Sequence, residues 1–255
     1  MWNLLVVKVI ALFNQAGGVA KTSLTMNLGY QLAQRNCRVL LADMDPQASL
    51  TTFMGLDVYN LSRTIYNAVV LSEEMPIHKS IHGMDLAPAN LRLSAAELEL
   101  VVADMRDLRL KEALAPFLDS YDFILIDCPP SLGILSYLSL VAATHTLIPI
   151  QTHYKALVGT DLLLDTISRV RARANKSLKI AGIVPTMHEA QTVQAKMSLQ
   201  TIEDQLSQVG KIYPPIPRSI AFADASQEHL PLALFAPKHP AIAILDTIAQ
   251  GLEEL

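Results

Sequence analysis

The sequence has few aromatic residues, few charged residues and only two cysteines. Aromatic side chains make up 5% and charged side chains 17% of its 255 residues, whereas 51% are hydrophobic. This composition predicts a large, mostly aliphatic core. Neither Cys37 nor Cys128 has another cysteine at metal-ligand spacing. This argues against an iron–sulfur protein and predicts reduced, structural thiols in the cytosol.

Long hydrophobic runs and an excess of basic residues are also absent. No uninterrupted apolar run is long enough to cross a membrane. The apolar stretch Trp2–Ile10 lacks the basic region and cleavage site of a signal peptide, so we predict a strand there. The formal net charge of −4 does not favour nucleic-acid binding. Residues 167–220, however, hold eight Lys or Arg against three Asp or Glu and carry +5, which leaves −9 for the remainder.

One stretch has the pattern of a phosphate-binding loop. An apolar run from Val6 to Phe13 predicts a buried strand, and a helical pattern runs from Ser23 to about Arg35. The turn between them is rich in glycine and ends in Lys-Thr-Ser. Backbone N–H groups of such a turn converge on an anion, and the helix N-terminus adds partial positive charge. We predict that Lys21 holds the β- and γ-phosphates and that the Thr22 hydroxyl binds Mg²⁺.

The match to the standard loop is imperfect, because two of its usual glycines are replaced here by Gln15 and Ala20. A Gly-Gly turn in front of a core helix is therefore the alternative interpretation of this stretch.

Acidic residues follow two further predicted strands. The apolar run Arg38–Ala42 leads into Asp43–Gln47, which contains two aspartates and ends in Pro-Gln. The run Tyr121–Ile126 ends in Asp127 and is stopped by two prolines. Acids at the carboxyl ends of buried parallel strands point into the ligand crevice of an open α/β sheet. Asp127 is predicted to hold the Mg²⁺ shell, whereas an ordinary strand-end turn is the alternative for Asp43–Gln47.

In this order, the three motifs resemble the deviant Walker A ATPases of the ParA/MinD family, from about residue 8 to the end of the chain. The resemblance implies an α/β, three-layer P-loop NTPase fold with a mostly parallel central sheet flanked by helices, as a single ParA-type ATPase domain over residues 1–255. It implies ATP and Mg²⁺ as cofactors, with Thr22, Asp45 and Asp127 at the metal and Asp45 beside the attacking water. The implied cofactor contacts are Ala16, Gly17, Gly18, Val19, Ala20, Lys21, Thr22, Ser23, Pro185, Thr186, Met187 and Pro217.

One position departs from the family pattern. The signature lysine, which in the family reaches across a dimer interface to the partner's ATP, is replaced by Ala16. Lys155 follows a predicted strand at the edge where ligands bind, at a position where relatives usually carry an uncharged residue. We predict that Lys155 supplies the missing cation in catalysis; a solvated loop lysine is the alternative. McdA, a cyanobacterial branch that positions carboxysomes, also lacks the usual lysine, which favours an McdA-like protein.

The resemblance further implies a homodimer that sandwiches ATP, coats nonspecific nucleoid DNA and releases it when an adaptor protein triggers hydrolysis. Such a protein would be cytoplasmic, and its cargo would be carboxysomes or, alternatively, a plasmid or chromosome. A non-hydrolysing, nucleotide-dependent scaffold also remains open. A membrane-bound regulator like MinD is disfavoured because the tail Ile248–Leu255 has two Glu and no Lys or Arg. The residues predicted to contact DNA phosphates are Arg169, Arg171, Arg173, Lys196 and Arg218.

Two other segments carry structural expectations. Ser94 followed by Glu97 is a capping-box pattern and predicts a long helix to about Leu118. His78 and His82 have the spacing of a helical metal pair, but a nearby proline and glycine favour a hairpin or loop instead. On the long helix, the apolar residues expected to face the core are Leu98, Val101, Val102, Met105 and Leu108.

Overall fold

Seven strands form one sheet in the computed structural model, which describes residues 7–153 and 159–255. In chain order they are β1 (Lys8–Leu12), β2 (Val39–Asp43), β3 (His78–Ile81), β4 (Met84–Ala87), β5 (Phe123–Asp127), β6 (His145–Gln151) and β7 (Lys179–Thr186). Their order across the sheet is β3-β4-β2-β5-β1-β6-β7. Neighbouring strands are parallel except β3 and β4, which pair antiparallel. The hairpin predicted around His78 and His82 is therefore confirmed.

Helices connect the strands and complete the chain after β7. In the described part of the chain they are α1 (Lys21–Gln34), α2 (Ser49–Phe53), α3 (Ile65–Val69), α4 (Ala96–Glu99), α5 (Arg109–Leu114), α6 (Ile134–Ala142), α7 (Thr160–Arg173), α8 (Val193–Leu206), α9 (Ala221–Gln227), α10 (Leu232–Phe235) and α11 (Ala241–Glu253). Short 3-10 turns lie at Leu91–Ala95, Leu100–Val102, Arg106–Leu108 and Ala115–Phe117. None of the described helices is both long and apolar enough to cross a membrane.

The two faces of the sheet carry separate apolar cores, because successive side chains of a strand point to opposite faces. In β1, Val9 and Ala11 belong to a core shared with buried residues of α3, α5, α6, α7 and α8. Ile10 and Leu12 belong to the other core, shared with α1, α2, α9, α10 and α11. Helices therefore cover both faces of a mostly parallel sheet, which confirms the predicted three-layer α/β fold.

The carboxyl ends of β1, β2 and β5 lie side by side. In the parallel register, Asp127 pairs with Leu12 on one side and with Asp43 on the other. The glycine-rich turn follows β1 directly, so the three sequence motifs meet at one edge of the sheet, where open α/β folds bind ligands. Helix α1 begins at Lys21, two residues before the predicted start at Ser23.

The predicted long helix over 94–118 is wrong. The segment is divided into short helical pieces, because Ala103 is extended and Met105 adopts a left-handed conformation with φ +50°. A different set of apolar residues faces the core, each 0% exposed: Leu93, Ala96 and Leu100. Leu108 is partly buried against the core as predicted. The other side chains expected inside are exposed, namely Leu98, Val101, Val102 and Met105.

Candidate active site

The glycine-rich turn is held in place by its first residue. The Asn14 side-chain amide donates to the Pro149 carbonyl at 2.8 Å, and its oxygen accepts from the Ala16 N–H at 2.9 Å. Gly18 (φ +74°) and Ala20 (φ +69°) are both left-handed, a conformation that glycine adopts freely and alanine does not. The turn thus reaches α1 as a tight loop, with Gly17 and Gly18 exposed at its tip.

Lys21 lies inside this loop with 6% of its surface exposed. Its Nζ donates to the carbonyls of Asn14 and Ala16, both at 2.9 Å. Burial lowers the pKa of Lys21, and the nearby carboxylates of Asp127 and Asp45 oppose that shift. The ammonium group is therefore placed at the centre of the loop with main-chain oxygens as its hydrogen-bond partners, an arrangement that suits an incoming phosphate.

Asp127 is a buried carboxylate without hydrogen bonds of regular geometry. It is 0% exposed, and neither of its oxygens has a hydrogen-bond partner among the described residues. Burial raises its pKa well above the usual range and the neighbouring Asp43 raises it further, although the Thr22 hydroxyl lies near enough to favour the charged form. A buried acid left in this state is a natural partner for a cation.

Asp43, by contrast, is fully engaged with the protein. Its Oδ2 accepts from the Thr51 N–H at 2.9 Å and from the Thr51 hydroxyl at 2.7 Å, and its Oδ1 accepts from the Asp45 N–H at 3.1 Å. Burial nevertheless raises the pKa of Asp43 to about 7. These contacts give Asp43 a structural part: it fixes the chain that carries Asp45.

Asp45 begins the turn after β2 and is 8% exposed. Its Oδ1 accepts from the Gln47 N–H at 2.9 Å, which fixes the side chain in an Asx turn. Burial raises its pKa, while the Gln47 N–H and then Lys21 lower it. The structure thus brings together Lys21, Asp45, Asp127 and Thr22, four of the residues predicted for catalysis and metal binding.

A cavity of about 280 Å³ adjoins the start of α1. Ala20 and Ser23 form one side of it, while Met187 and Pro217 line another part. Of the other residues predicted near the base, Thr186 is fully buried, and its hydroxyl donates to the Val19 carbonyl at 3.2 Å. The carbonyl of Pro185 accepts from the Ile216 N–H at 2.8 Å. Pro185 and Thr186 therefore do not line the cavity; they contact Val19 and Ile216, which lie next to it.

The predicted DNA-contacting residues lie on α7, on α8 and after β7. Arg169 pairs with Asp165 at 3.2 Å, and Arg218 pairs with Glu189 at 2.7 Å. The other three are exposed and form no ion pair with another described residue: Arg171, Arg173 and Lys196. The predicted catalytic Lys155 falls outside the described residues.

Three contacts at this edge were not anticipated from the sequence. Thr51 holds Asp43, and Asn14 fixes the turn. Gln15 donates its side-chain amide to the Gly159 carbonyl at 2.7 Å, which ties the turn to the residue before α7. The Asn-Gln pair precedes the two glycines with only Ala16 between them, and this position is the local signal for Asn14 and Gln15.

A buried lysine inside a glycine-rich loop, at the start of a helix and beside two aspartates on parallel strand ends, defines a P-loop nucleotide-binding protein. A protein-family model described as an AAA domain matches residues 7–180. The sporulation initiation inhibitor protein Soj of Bacillus subtilis is 38% identical over 91% of this chain and 92% of its own length. The chromosome partitioning protein ParA of Myxococcus xanthus is 37% identical over 89% and 81%.

Solved structures agree with this assignment. One described as cobyrinic acid a,c-diamide synthase of Mycobacterium smegmatis, with bound ATP analogue and magnesium, is 36% identical with a TM-score of 0.81, covering 88% of this chain and 92% of that one. Apo McdA of Cyanothece shares the fold with a TM-score of 0.85 at 24% identity, covering 97% and 98%. The chain belongs to the ParA/MinD family of P-loop ATPases, the family of the partition proteins Soj and ParA.

Proposed function

We propose that this protein dimerises on ATP, binds nonspecific nucleoid DNA in the cytoplasm and distributes a cargo through an adaptor protein that stimulates hydrolysis. Residues 1–255 form a single ParA-type ATPase domain in this proposal. The observation that carries it is that Lys21, held by main-chain oxygens of the loop, lies near the buried carboxylate of Asp127, which has no hydrogen bond of regular geometry among the described residues. Burying such charges is costly unless a ligand satisfies them.

The donor set fits Mg²⁺ that is bound together with ATP. Among the described residues, no three His, Cys, Asp or Glu side chains converge into a ready-made metal cage. Mg²⁺ usually takes one or two carboxylates, waters and phosphate oxygens, so such a cage is not required. The Thr22 hydroxyl, Asp127 and Asp45 are the protein groups that would hold it, and the metal would supply positive charge to the phosphates.

The remaining roles follow from position. The backbone of Ala16–Ser23 surrounds the phosphates, and Lys21 contacts the β- and γ-phosphates. Asp45, fixed by its own turn, orients the attacking water. Met187 and Pro217 contact the adenine base, since they line the cavity beside the loop.

DNA binding rests on the charge of residues 167–220. Their excess of basic residues suits phosphate contacts that carry no sequence information. Arg171, Arg173 and Lys196 are exposed on the two helices that line one side of the molecule, which supports this surface. Arg169 and Arg218 join it only when they leave their present acidic partners.

Two cargoes are supported by different observations. The absence of a lysine at Ala16 favours an McdA-like positioning of carboxysomes. The identities of 37–38% to proteins named for chromosome partitioning favour a plasmid or chromosome. The neighbouring open reading frame distinguishes them, because it would encode a carboxysome-associated adaptor in one case and a centromere-binding protein in the other.

The alternative of a non-hydrolysing scaffold is tested by steady-state phosphate release with Mg²⁺, with and without nonspecific DNA and the adaptor protein. We expect turnover by the wild type, and its complete absence under all these conditions would favour the scaffold.

The role of Lys155 is tested with Lys155→Ala in the same assay, with ATP-dependent dimerisation measured in parallel. Turnover and dimerisation should both fall if Lys155 supplies the cation that Ala16 does not. Turnover should then decrease by up to ~10³, as on loss of an arginine finger.

A further inference from the structure

The segment after β4 exposes a row of apolar side chains. These residues, which we call the outer stripe, are Leu98 (79% exposed), Val101 (61%), Val102 (86%) and Met105 (65%). The same segment already buries another set of side chains in the core, including Leu93 and Leu100 at 0% exposure. The outer stripe is therefore a second apolar surface, and nothing in the described parts of the chain covers it.

Charged side chains border the outer stripe. Glu97, Asp104 and Arg106 are exposed within the same segment. An apolar centre with a polar rim is the usual anatomy of a protein–protein interface. The largest apolar patch of a typical monomer covers a few hundred Å² and is often a functional surface.

The outer stripe is continuous with the nucleotide edge of the sheet. The Glu97 carboxylate lies directly over Gly133, where an added Cβ would collide with it. Leu132, the preceding residue, is 41% exposed and extends the apolar surface. Its loop also reaches the phosphate loop, because a Cβ on Gly17 would lie 3.8 Å from the Pro130 Cβ. A body that covers the Leu98 end of the outer stripe together with Leu132 would thus lie close to the exposed tip of the phosphate loop, whereas Met105 at the other end borders a hollow with Tyr137 and Arg173.

We propose that the outer stripe and Leu132 form the apolar part of the surface by which a second copy of this chain closes over the nucleotide. The inference rests on the ATP-dependent dimer of the proposed function and identifies what holds that dimer together. Gly17 and Gly18 at the loop tip have no side chains to contribute, and Ala16 brings no charge. The five apolar side chains offer on the order of 300 Å² per protomer, at roughly 100 Å² for a fully exposed one. A standard interface needs about 800 Å² per partner, so they supply a substantial apolar centre.

The first test compares Val102→Asp with Val193→Asp, which changes another exposed valine (73%) on α8. Sedimentation velocity in ADP and in ATP–Mg²⁺ measures the association state, and fluorescence of a labelled ATP measures nucleotide affinity. We expect Val102→Asp to weaken ATP-dependent dimerisation at least about tenfold, the loss of one interface hot spot, with unchanged ATP affinity. Val193→Asp should dimerise like the wild type.

The second test follows burial of the outer stripe directly. Val102→Cys and Val193→Cys are alkylated with a maleimide in ADP and in ATP–Mg²⁺. The background is low, because burial raises the pKa of Cys37 to about 11 and that of Cys128 to about 12. ATP should slow alkylation at position 102 and leave position 193 unchanged.

Several results would overturn the inference. Normal dimerisation of Val102→Asp is one. A second is that Val102→Cys reacts with maleimide in the ATP-bound dimer as fast as in ADP. This result would assign the outer stripe to a different partner, such as the adaptor. A wild type that binds ATP but stays monomeric refutes the outer stripe while the ATPase function stands, whereas a wild type that does not bind ATP refutes the function itself.

Discussion

Two regions of the molecule hold their charges in opposite ways: the nucleotide edge, where β1, β2 and β5 end, and the basic side, formed by α7, α8 and the loop that carries Arg218. At the edge, Lys21 and Asp127 are 6% and 0% exposed, and Asp127 has no hydrogen-bond partner of regular geometry in the described chain. On the basic side, the side chains of Arg169 and Arg218 are 56% and 65% exposed, and each pairs with an acid. The first region carries charge that the fold alone does not satisfy, and the second carries charge that water and neighbours satisfy already.

This difference predicts different sensitivities. A buried, uncompensated charge is costly and gains strongly from a ligand of opposite sign. Exposed ion pairs contribute little to stability and are screened by salt. Substitutions of the buried charged residues at the edge should therefore change ATP binding or turnover strongly, with little dependence on salt. Substitutions on the basic side should change DNA binding modestly, and salt should abolish that change.

Lys21→Ala should have the largest effect. The substitution removes the ammonium group at the centre of the loop, and two charge-assisted contacts to phosphate are worth roughly 3–6 kcal/mol together. ATP affinity should fall at least about 100-fold, measured by calorimetric titration. Lys196→Ala, which removes an exposed lysine of the basic side, should bind ATP normally. Micromolar affinity in Lys21→Ala would refute the phosphate-loop assignment and with it the contrast between the two regions.

Asp45→Ala should separate binding from turnover. We expect ATP to bind with nearly normal affinity while hydrolysis falls by about 10²–10⁴, the usual contribution of a positioned acid–base group. The variant should accumulate as an ATP-bound dimer. Asp57→Ala is the matched control, because Asp57 makes the same type of turn by accepting from the Tyr59 N–H at 3.0 Å but lies exposed away from the three motifs. Wild-type turnover in Asp45→Ala would exclude a role in positioning the water.

Replacing Arg169, Arg171 and Arg218 together with Glu should weaken DNA binding for every sequence tested. The slope of log affinity against log salt should decrease by about one unit for each lost phosphate contact. Fluorescence anisotropy over a salt series measures it. Because Arg218 also lines the cavity beside the phosphate loop, the control for ATP affinity is Arg169→Glu with Arg171→Glu alone, which should bind ATP like the wild type.

The ion pairs provide a control of opposite sign. Asp165→Asn and Glu189→Gln would free Arg169 and Arg218 and should tighten DNA binding slightly. If the triple variant keeps the wild-type salt slope, the DNA-binding surface lies elsewhere.

The nucleotide edge could be predicted because its signals are local in sequence. Strand, turn, lysine and helix follow one another within thirty residues, and the acid after each apolar run needs only the parallel pairing of Asp43 with Asp127 to reach the site. Contacts between distant residues could not be predicted. Thr51 lies eight residues from Asp43, and Glu189 lies 29 residues from its partner Arg218.

The outer stripe shows a second reason why sequence alone does not predict the structure. Both sets of apolar residues in 91–108 have helical spacing, so periodicity alone cannot decide which set faces the core. The choice depends on the break at Ala103 and on the left-handed Met105. Neither residue carries a local signal such as proline or glycine, so a continuous helix was the natural but wrong prediction.

Ala20→Gly should have the smallest effect, and its sign is the informative part. Ala20 is left-handed at φ +69°, which costs an alanine about 1–2 kcal/mol and a glycine almost nothing. Glycine gives back part of that gain through the greater entropy of the unfolded chain. We therefore expect a net stabilisation of about 0.5–1 kcal/mol in urea unfolding. Ala243→Gly, an exposed site inside α11, should instead destabilise by about 1 kcal/mol. Equal destabilisation of both variants would mean that the loop relaxes without strain, and that its buried charges are the only unfavourable feature of the nucleotide edge.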